Sequence, residues 1–159
     1  MFGLSSSSSY AVLALSSLSG AGDSWILARN LAAAIDAPLP YLSKILHGLA
    51  GAGIVEDKRG YRGGFRLLRE ADQLTVGEIV IAVEGPAFLE GCLLGKAECS
   101  DRRACPAHAF WGLERERIRS QLQRMTLAEV AAFERKAGRG LKLPAKPQPK
   151  PAASRARQR

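Results

Sequence analysis

Glycine and proline residues divide the first third of the chain into short segments, and this division limits the fold more than any other sequence feature. The breaks fall at Gly20 and Gly22, at Pro38 and Pro40, and at Gly51 and Gly53. Since glycine and proline interrupt regular structure, any helix between these breaks must be short.

The apolar pattern predicts one helix in each interval. The first covers residues 10–18 after a serine run at 5–9, the second covers 26–35, and the third covers 41–49. In the third, Leu42, Ile45, Leu46 and Leu49 recur at the spacing of one buried helix face. Proline is tolerated in a first helical turn, so Pro40 can start this helix.

Two short apolar strands follow, at residues 54–55 and 65–68, on either side of a polar segment that contains glycines. This arrangement predicts a β-hairpin. A fourth helix is predicted at 76–83 because Thr75 and Glu78 have capping-box spacing. Three helices and then a hairpin is the order of a winged helix-turn-helix, in which one helix enters the major groove and the hairpin contacts the adjacent backbone or minor groove.

A long helix is predicted to begin near Ala107, with His108 one turn inside it. Its apolar stripe is Trp111, Ile118, Leu122 and Met125, whereas Glu114, Arg115, Arg119 and Arg124 are expected to face water. Thr126 and Glu129 again have capping-box spacing and predict a last helix at 127–136. The predicted fold class is mainly α with one small β-hairpin.

Bulk charge does not by itself indicate a nucleic-acid partner. The 159 residues carry a net charge of +8, and 47% of them are hydrophobic, which is enough for a core. Six basic residues and no acidic residue lie in the last twenty positions, so the remainder of the chain carries only +2. Local placement of charge must therefore decide the question.

Nothing in the sequence indicates export or membrane insertion. Three cysteines cannot all pair within one chain, and no apolar run reaches the about 18 residues that cross a bilayer. The apolar stretch 10–18 lacks a basic leader, since the first basic residue is Arg29. We expect a protein of the reducing cytoplasm without a membrane partner.

The third predicted helix is the candidate reader of the major groove. Tyr41 opens it, and its outward positions are Ser43, Lys44 and His47. Serine bonds several base edges, lysine reaches guanine acceptors or phosphate, and histidine donates to phosphate.

The predicted hairpin adds a cluster of basic residues and glycines. The basic residues are Lys58, Arg59, Arg62 and Arg66, and the glycines are Gly60, Gly63 and Gly64. Glycine lets a backbone approach a phosphate closely. Glu56 and Asp57 offset part of the charge, so an ordinary solvated turn is the alternative. The ordered combination of helix and hairpin favours double-stranded DNA as the partner.

All three cysteines and one of the two histidines lie in one segment, with the spacing Cys-x6-Cys-x5-Cys-x2-His. These residues are Cys92, Cys99, Cys105 and His108. Structural zinc sites favour a close Cys-x2-Cys pair, whereas these long intervals suit a loop around an iron–sulfur cluster. Three thiolates and one imidazole can ligate a 2Fe–2S cluster, which we favour over 4Fe–4S.

Three alternatives remain for this segment. The four residues could hold zinc, the thiols could act as a redox switch without metal, with Arg102 and Arg103 favouring thiolates, or the cysteines could be unrelated. An enzyme fits poorly, because the chain has no glycine-rich nucleotide loop, no nucleophile–base constellation and no motif for a small-molecule substrate.

These motifs resemble the Rrf-two family of winged-helix transcription regulators over about residues 1–135. The matching segments are residues 10–12, 39–42, 49–55, 59–65 with its Arg-Gly-x-x-Gly-Gly-Phe order, 76–79, the cysteine segment and 126–130. The resemblance implies a homodimer joined through the long helix, reading a palindromic operator. It assigns the cluster ligands to Cys92, Cys99 and Cys105, with His108 at the position of the histidine in IscR-like members.

Two departures from the family pattern matter. NsrR-like members take a fourth ligand from a carboxylate just before the tyrosine of the first helix, and residues 5–9 are all serine here, which favours His108. The serine run also lacks the basic residues that many relatives carry there. Ser43 stands where IscR-like members have an acidic residue, so the target sequence cannot be transferred.

We therefore predict four parts. Residues 1–84 form the DNA-binding domain, 85–108 the cluster-binding loop, 109–137 the dimerisation helices and 138–159 a basic, disordered tail. The predicted function is transcription regulation, with cluster occupancy controlling operator affinity in response to iron, redox state or nitric oxide.

Overall fold

The computed structural model describes residues 3–60, 62–95 and 105–138. Across these residues the elements run in the order α1 (Ser6–Ser19), α2 (Ala28–Ala34), α3 (Leu39–Gly51), β1 (Val55–Lys58), β2 (Gly64–Leu67), α4 (Val76–Glu84), α5 (His108–Arg124) and α6 (Leu127–Lys136). The strands form one antiparallel pair, with Val55 opposite Leu67 and Lys58 opposite Gly64. Cys99 and the predicted tail, apart from its first residue, lie outside the described residues.

Helix α1 lies at the centre of the core. It packs against α2, α3, α4, α6 and β2, and its Ala11, Ala14 and Leu15 are fully buried. The other large side chains with almost no exposed surface are Leu18, Leu31, Leu42, Leu46, Leu49, Val55, Leu74, Ile79, Val80 and Leu127. The predicted inward face of α3 is confirmed for its three leucines, whereas Ile45 is only partly buried.

The predicted start of the first helix at residue 10 is wrong, because the serine run is helical. Ser5 caps α1, its hydroxyl accepting the Ser8 N–H at 3.1 Å. Ser8 is completely buried and donates to the Glu84 carboxylate at 2.7 Å, and the Ser5 hydroxyl donates to the same oxygen. A distant carboxylate thus satisfies serines that would otherwise favour a loop.

The second helix is shorter than predicted, and Ile26 lies outside it. Ile26 instead forms an antiparallel bridge to Phe65, with backbone bonds of 3.0 and 2.8 Å. This bridge adds a third extended segment to the hairpin and buries the Ile26 side chain.

Two glycines of the hairpin are required by the chain's own backbone. A Cβ on Gly63 would lie 2.0 Å from the carbonyl oxygen of Lys58. A Cβ on Gly64, whose φ is +140°, would lie 2.4 Å from the carbonyl oxygen of Ile26. Only glycine fits both the φ and the space at Gly64.

Both predicted capping boxes are confirmed. The Thr75 and Thr126 hydroxyls accept the N–H groups of Glu78 and Glu129, whose carboxylates accept the cap N–H groups in return. Burial raises the pKa of Glu78, but bonds from the Thr75 N–H, Arg69 and the Thr75 hydroxyl outweigh burial and hold that pKa below its usual value.

Helix α5 begins at the predicted place, but it contains no buried residue. Of the predicted stripe, Trp111, Leu122 and Met125 are half-buried and Ile118 is exposed. His108 is the first helical residue, not one turn inside as predicted, because Ala107 is the cap. No helix of the described ranges is both long and apolar enough to span a bilayer.

Gly64→Ala tests the fit between the hairpin and Ile26. We expect a loss of about 2 kcal/mol or more in the free energy of unfolding, because the new methyl group meets backbone that cannot move aside. The matched control is Gly48→Ala, a helical site with open space at the Cβ position, which should gain about 0.5–1 kcal/mol. Urea unfolding measures both, and an unchanged midpoint for Gly64→Ala would contradict the backbone contact.

Candidate nucleic-acid interface and cysteine site

Helix α3 presents Lys44 and His47 to solvent. Both side chains are exposed, as predicted, whereas Ser43 is half-buried. Tyr41 is partly exposed, but its hydroxyl bonds the Ser7 hydroxyl at 2.5 Å and its ring packs edge-on against Tyr10, with the centroids 6.0 Å apart. Tyr41 thus attaches the first turn of α3 to α1.

His47 connects α3 to the hairpin. Its Nδ1 lies 3.2 Å from Oδ2 of Asp57 on β1, and its ring meets the edge of Phe65 on β2 at a centroid distance of 5.3 Å. The side chain nevertheless keeps 61% of its surface exposed. One ring nitrogen is therefore held by the hairpin while most of the ring still faces solvent.

The basic residues of the hairpin fall into two groups. Lys58 and Arg66 lie over the Trp25 ring, at 5.5 and 4.7 Å from its centroid, and Arg66 also pairs with Glu56 at 2.6 Å. Arg59 and Arg62 are exposed at the hairpin tip, and neither bonds any side chain or carbonyl among the described residues. Within the described residues, the tip therefore presents two cations that form no salt bridge.

Trp25 is the residue of this interface that the sequence did not reveal. It precedes α2 and lies beside the hairpin only because Ile26 bridges to Phe65. The close backbone contacts of Gly63 and Gly64 explain why those glycines are needed in the free protein. The idea that they admit a phosphate remains a prediction.

The described part of the cysteine segment lies between α4 and the start of α5. Cys92 and Cys105 are half-buried, and the His108 N–H donates to the Cys105 carbonyl at 3.0 Å. No group of three or more potential metal ligands comes together within the described ranges, which omit Cys99. The four-residue ligand set stays a prediction. Its chemistry, three thiols and one imidazole, fits an iron–sulfur cluster.

Two side chains of α5 hold the segment that leads into Cys92. The Trp111 indole donates to the Gly91 carbonyl at 2.8 Å, and Arg115 donates to the carbonyls of Glu90 at 3.0 Å and Leu89 at 3.4 Å. Residues four apart lie on one helix face, so the two donors act together. The expectation that Arg115 only faces water is wrong. The helix that begins with His108 thus also fixes the approach to Cys92.

Comparison with known proteins gives consistent matches. The model of the Rrf2 family, described as iron-dependent transcriptional regulators, matches residues 4–132. An HTH-type transcriptional regulator of Aquifex aeolicus is 35% identical over 117 residues, which cover 72% of this chain and 78% of that protein. The HTH-type transcriptional regulator IscR of Vibrio atlanticus is 36% identical over 92 residues, covering 58% of this chain and only 53% of IscR.

Solved structures agree in fold. T. potens IscR has a TM-score of 0.67 at 25% identity, covering 86% of this chain and 90% of its own. CymR of B. subtilis, named as a global cysteine regulator, has a TM-score of 0.69 at 23% identity, covering 84% and 98%. The predicted winged-helix fold is confirmed. Because the family model spans most of the sequence, the chain belongs to the Rrf2 family of transcriptional regulators.

Proposed function

We propose that this protein is a transcription regulator that binds a palindromic DNA operator as a homodimer, with its affinity controlled by an iron–sulfur cluster. The observation that carries the DNA-binding part is a pair of exposed cations at the hairpin tip, Arg59 and Arg62, which pair with no acidic side chain in the described part of the chain. The exposed Lys44 and His47 of α3 add to this surface. The family supports a regulator rather than an enzyme.

The two surfaces suit different parts of a duplex. In a winged helix-turn-helix the reader helix enters the major groove, and the wing contacts the neighbouring phosphates or minor groove. Ser43 and Lys44 are then placed for base edges, and Arg59 and Arg62 for the backbone. Lys58, already stacked on Trp25, contributes positive potential near the tip.

The exposed surface of α5 supports the homodimer. Phe110 and Leu113 expose 57% and 64% of their surface, and Ile118 exposes 37%. A helix with no buried residue and several exposed large apolar side chains is typical of an interface that a partner covers. A second copy packed along α5 would place two reader helices on the two half-sites of a palindrome.

The cysteine segment supplies the proposed sensor. Cys92, Cys99, Cys105 and His108 would hold the cluster, with 2Fe–2S favoured over 4Fe–4S. Such a cluster supplies a redox-active centre that reacts with oxidants or nitric oxide. Trp111 and Arg115 would hold the loop against α5, so that loading or loss of the cluster changes how the loop is ordered on the proposed dimer helix. Operator affinity changes only if the two DNA-binding states differ in their affinity for the cluster.

Removing the tip cations tests DNA binding. The double variant Arg59→Ala/Arg62→Ala should bind duplex DNA at least about tenfold more weakly, and its salt dependence should be shallower by about one unit of slope per lost phosphate contact. The matched control is Arg135→Ala/Lys136→Ala, which removes the same charge from the exposed end of α6. Fluorescence anisotropy over a salt series measures both. Equal effects of the two double variants would contradict a hairpin contact.

Metal and sulfide analysis tests the sensor. Protein purified without oxygen should absorb visible light and contain about two iron and two sulfide ions per chain. Serine in place of Cys92, Cys99 or Cys105 should remove the colour, since a hydroxyl is a poor ligand for this cluster. Colourless protein with zinc would instead support a zinc-structured regulator, and metal-free protein a thiol-redox regulator.

Loosening the loop tests the contacts made by α5. Arg115→Gln loses the bonds to two loop carbonyls, so the amides of residues 89–92 should exchange hydrogen about fivefold faster, equivalent to about 1 kcal/mol of lost protection. Arg117→Gln is the control, because among the described residues Arg117 pairs with the neighbouring Glu114 and with no loop carbonyl. Mass-spectrometric hydrogen exchange resolves this segment. Identical exchange in both variants would show that Arg115 does not hold the loop.

A further inference from the structure

We propose that Asp57 is a positioning residue that makes DNA contact by His47 dependent on a second proton on the imidazole ring. The inference rests on the proposed DNA binding. It adds the requirement that the imidazole of His47 carry a proton on both nitrogens when it contacts a DNA phosphate. It starts from the contact between Nδ1 of His47 and Oδ2 of Asp57 at 3.2 Å, which joins the reader helix to the hairpin.

The carboxylate fixes which ring nitrogen carries the proton of a neutral imidazole. An ionised carboxylate only accepts hydrogen bonds, so Nδ1 must be the donor in this contact. A neutral imidazole has one N–H group, and Asp57 therefore leaves Nε2 without a hydrogen. Nε2 has no protein partner among the described residues, and 61% of the side chain is exposed.

A phosphate oxygen is also only an acceptor. The neutral ring held by Asp57 therefore cannot bond to DNA, whereas the imidazolium donates from Nδ1 to Asp57 and from Nε2 to the phosphate at once. The proton comes from solvent, and no other group has to change its charge. Binding of DNA through His47 therefore takes up a proton for each chain whose imidazole is neutral before binding.

The groups that face the ring come from the hairpin and from α3 itself. Asp57 of β1 is the ionisable group in contact, Phe65 of β2 is uncharged, and Lys44 lies one turn earlier on the exposed face of α3. Lys44 repels the imidazolium in the free protein, and a DNA phosphate between the two cations relieves that repulsion.

The experiment follows the affinity for DNA as a function of pH. A labelled duplex of about 30 base pairs, long enough for two half-sites one helical turn apart, is titrated at constant salt between about pH 5.5 and 8. For the wild-type protein the affinity should fall as the pH rises, by up to about tenfold per pH unit for each chain of the dimer, which is the limit for one linked proton. Thermal melting confirms that each variant is folded.

Two variants separate the roles of the pair. His47→Gln keeps an N–H donor that does not titrate, so its affinity should lose the pH dependence. Asp57→Asn lets Nδ1 accept from the amide, which frees a neutral ring to carry its proton on Nε2, so the dependence should flatten and binding near pH 8 should tighten. Asp72→Asn removes the same charge from an exposed site in the loop between β2 and α4, and it should keep the wild-type slope.

Each outcome decides between explanations. If Asp57 merely repels DNA, Asp57→Asn raises the affinity by one factor at every pH and leaves the slope unchanged, which overturns its positioning role. If the slope of DNA affinity against pH is equal in the wild type and in His47→Gln, a second proton on His47 is not required for binding. The proposed function would remain intact. Failure of the wild-type protein to bind any duplex overturns the proposed function and this inference with it.

Discussion

The close packing of α1 against five other elements is the constraint on which the rest of the structure depends. Ala11 and Ala14 let its neighbours approach closely, while Ser16 and Ser17 are buried because their hydroxyls bond back to the Leu13 carbonyl at 2.8 and 3.0 Å. The helix can therefore be buried along most of its length without leaving polar groups unsatisfied. Helix α3, strand β2 and helix α6 are all positioned by their contacts with α1.

Elements specified by local signals could be predicted, and elements specified by distant partners could not. The two capping boxes and the start of α5 depend on residues within one turn, and all were found where the sequence placed them. The helical serine run depends on Glu84, and the departure of Ile26 from α2 depends on Phe65. Those partners lie 76 and 39 positions away in the sequence, so local helix propensity gives no indication of them.

In the candidate interface, too, local features could be predicted from the sequence and contacts with distant residues could not. The sequence shows four basic residues near the hairpin, but it does not show which of them already contact other side chains in the free protein. Trp25 and Glu56 hold Arg66, and Trp25 also holds Lys58, so two of the four cations already make favourable contacts in the free protein. Breaking such a contact would offset part of the gain from a phosphate. Arg59 and Arg62 have no such contact to break among the described residues. We therefore expect these two residues to contribute more to DNA binding than Lys58 and Arg66.

The connection between the cysteine segment and the reader helix is also a matter of specific contacts. Glu84 is the last residue of α4, directly before the segment begins, and it accepts bonds from Ser5 and Ser8 at the start of α1. Ser7, in the same turn, bonds Tyr41 in the first turn of α3. A rearrangement of the segment that moved Glu84 would therefore disturb the reader helix through hydrogen bonds alone. Such a path transmits a signal only if it has two arrangements that a ligand distinguishes, so the proposed sensor would act through it only if α4 differs between the two states.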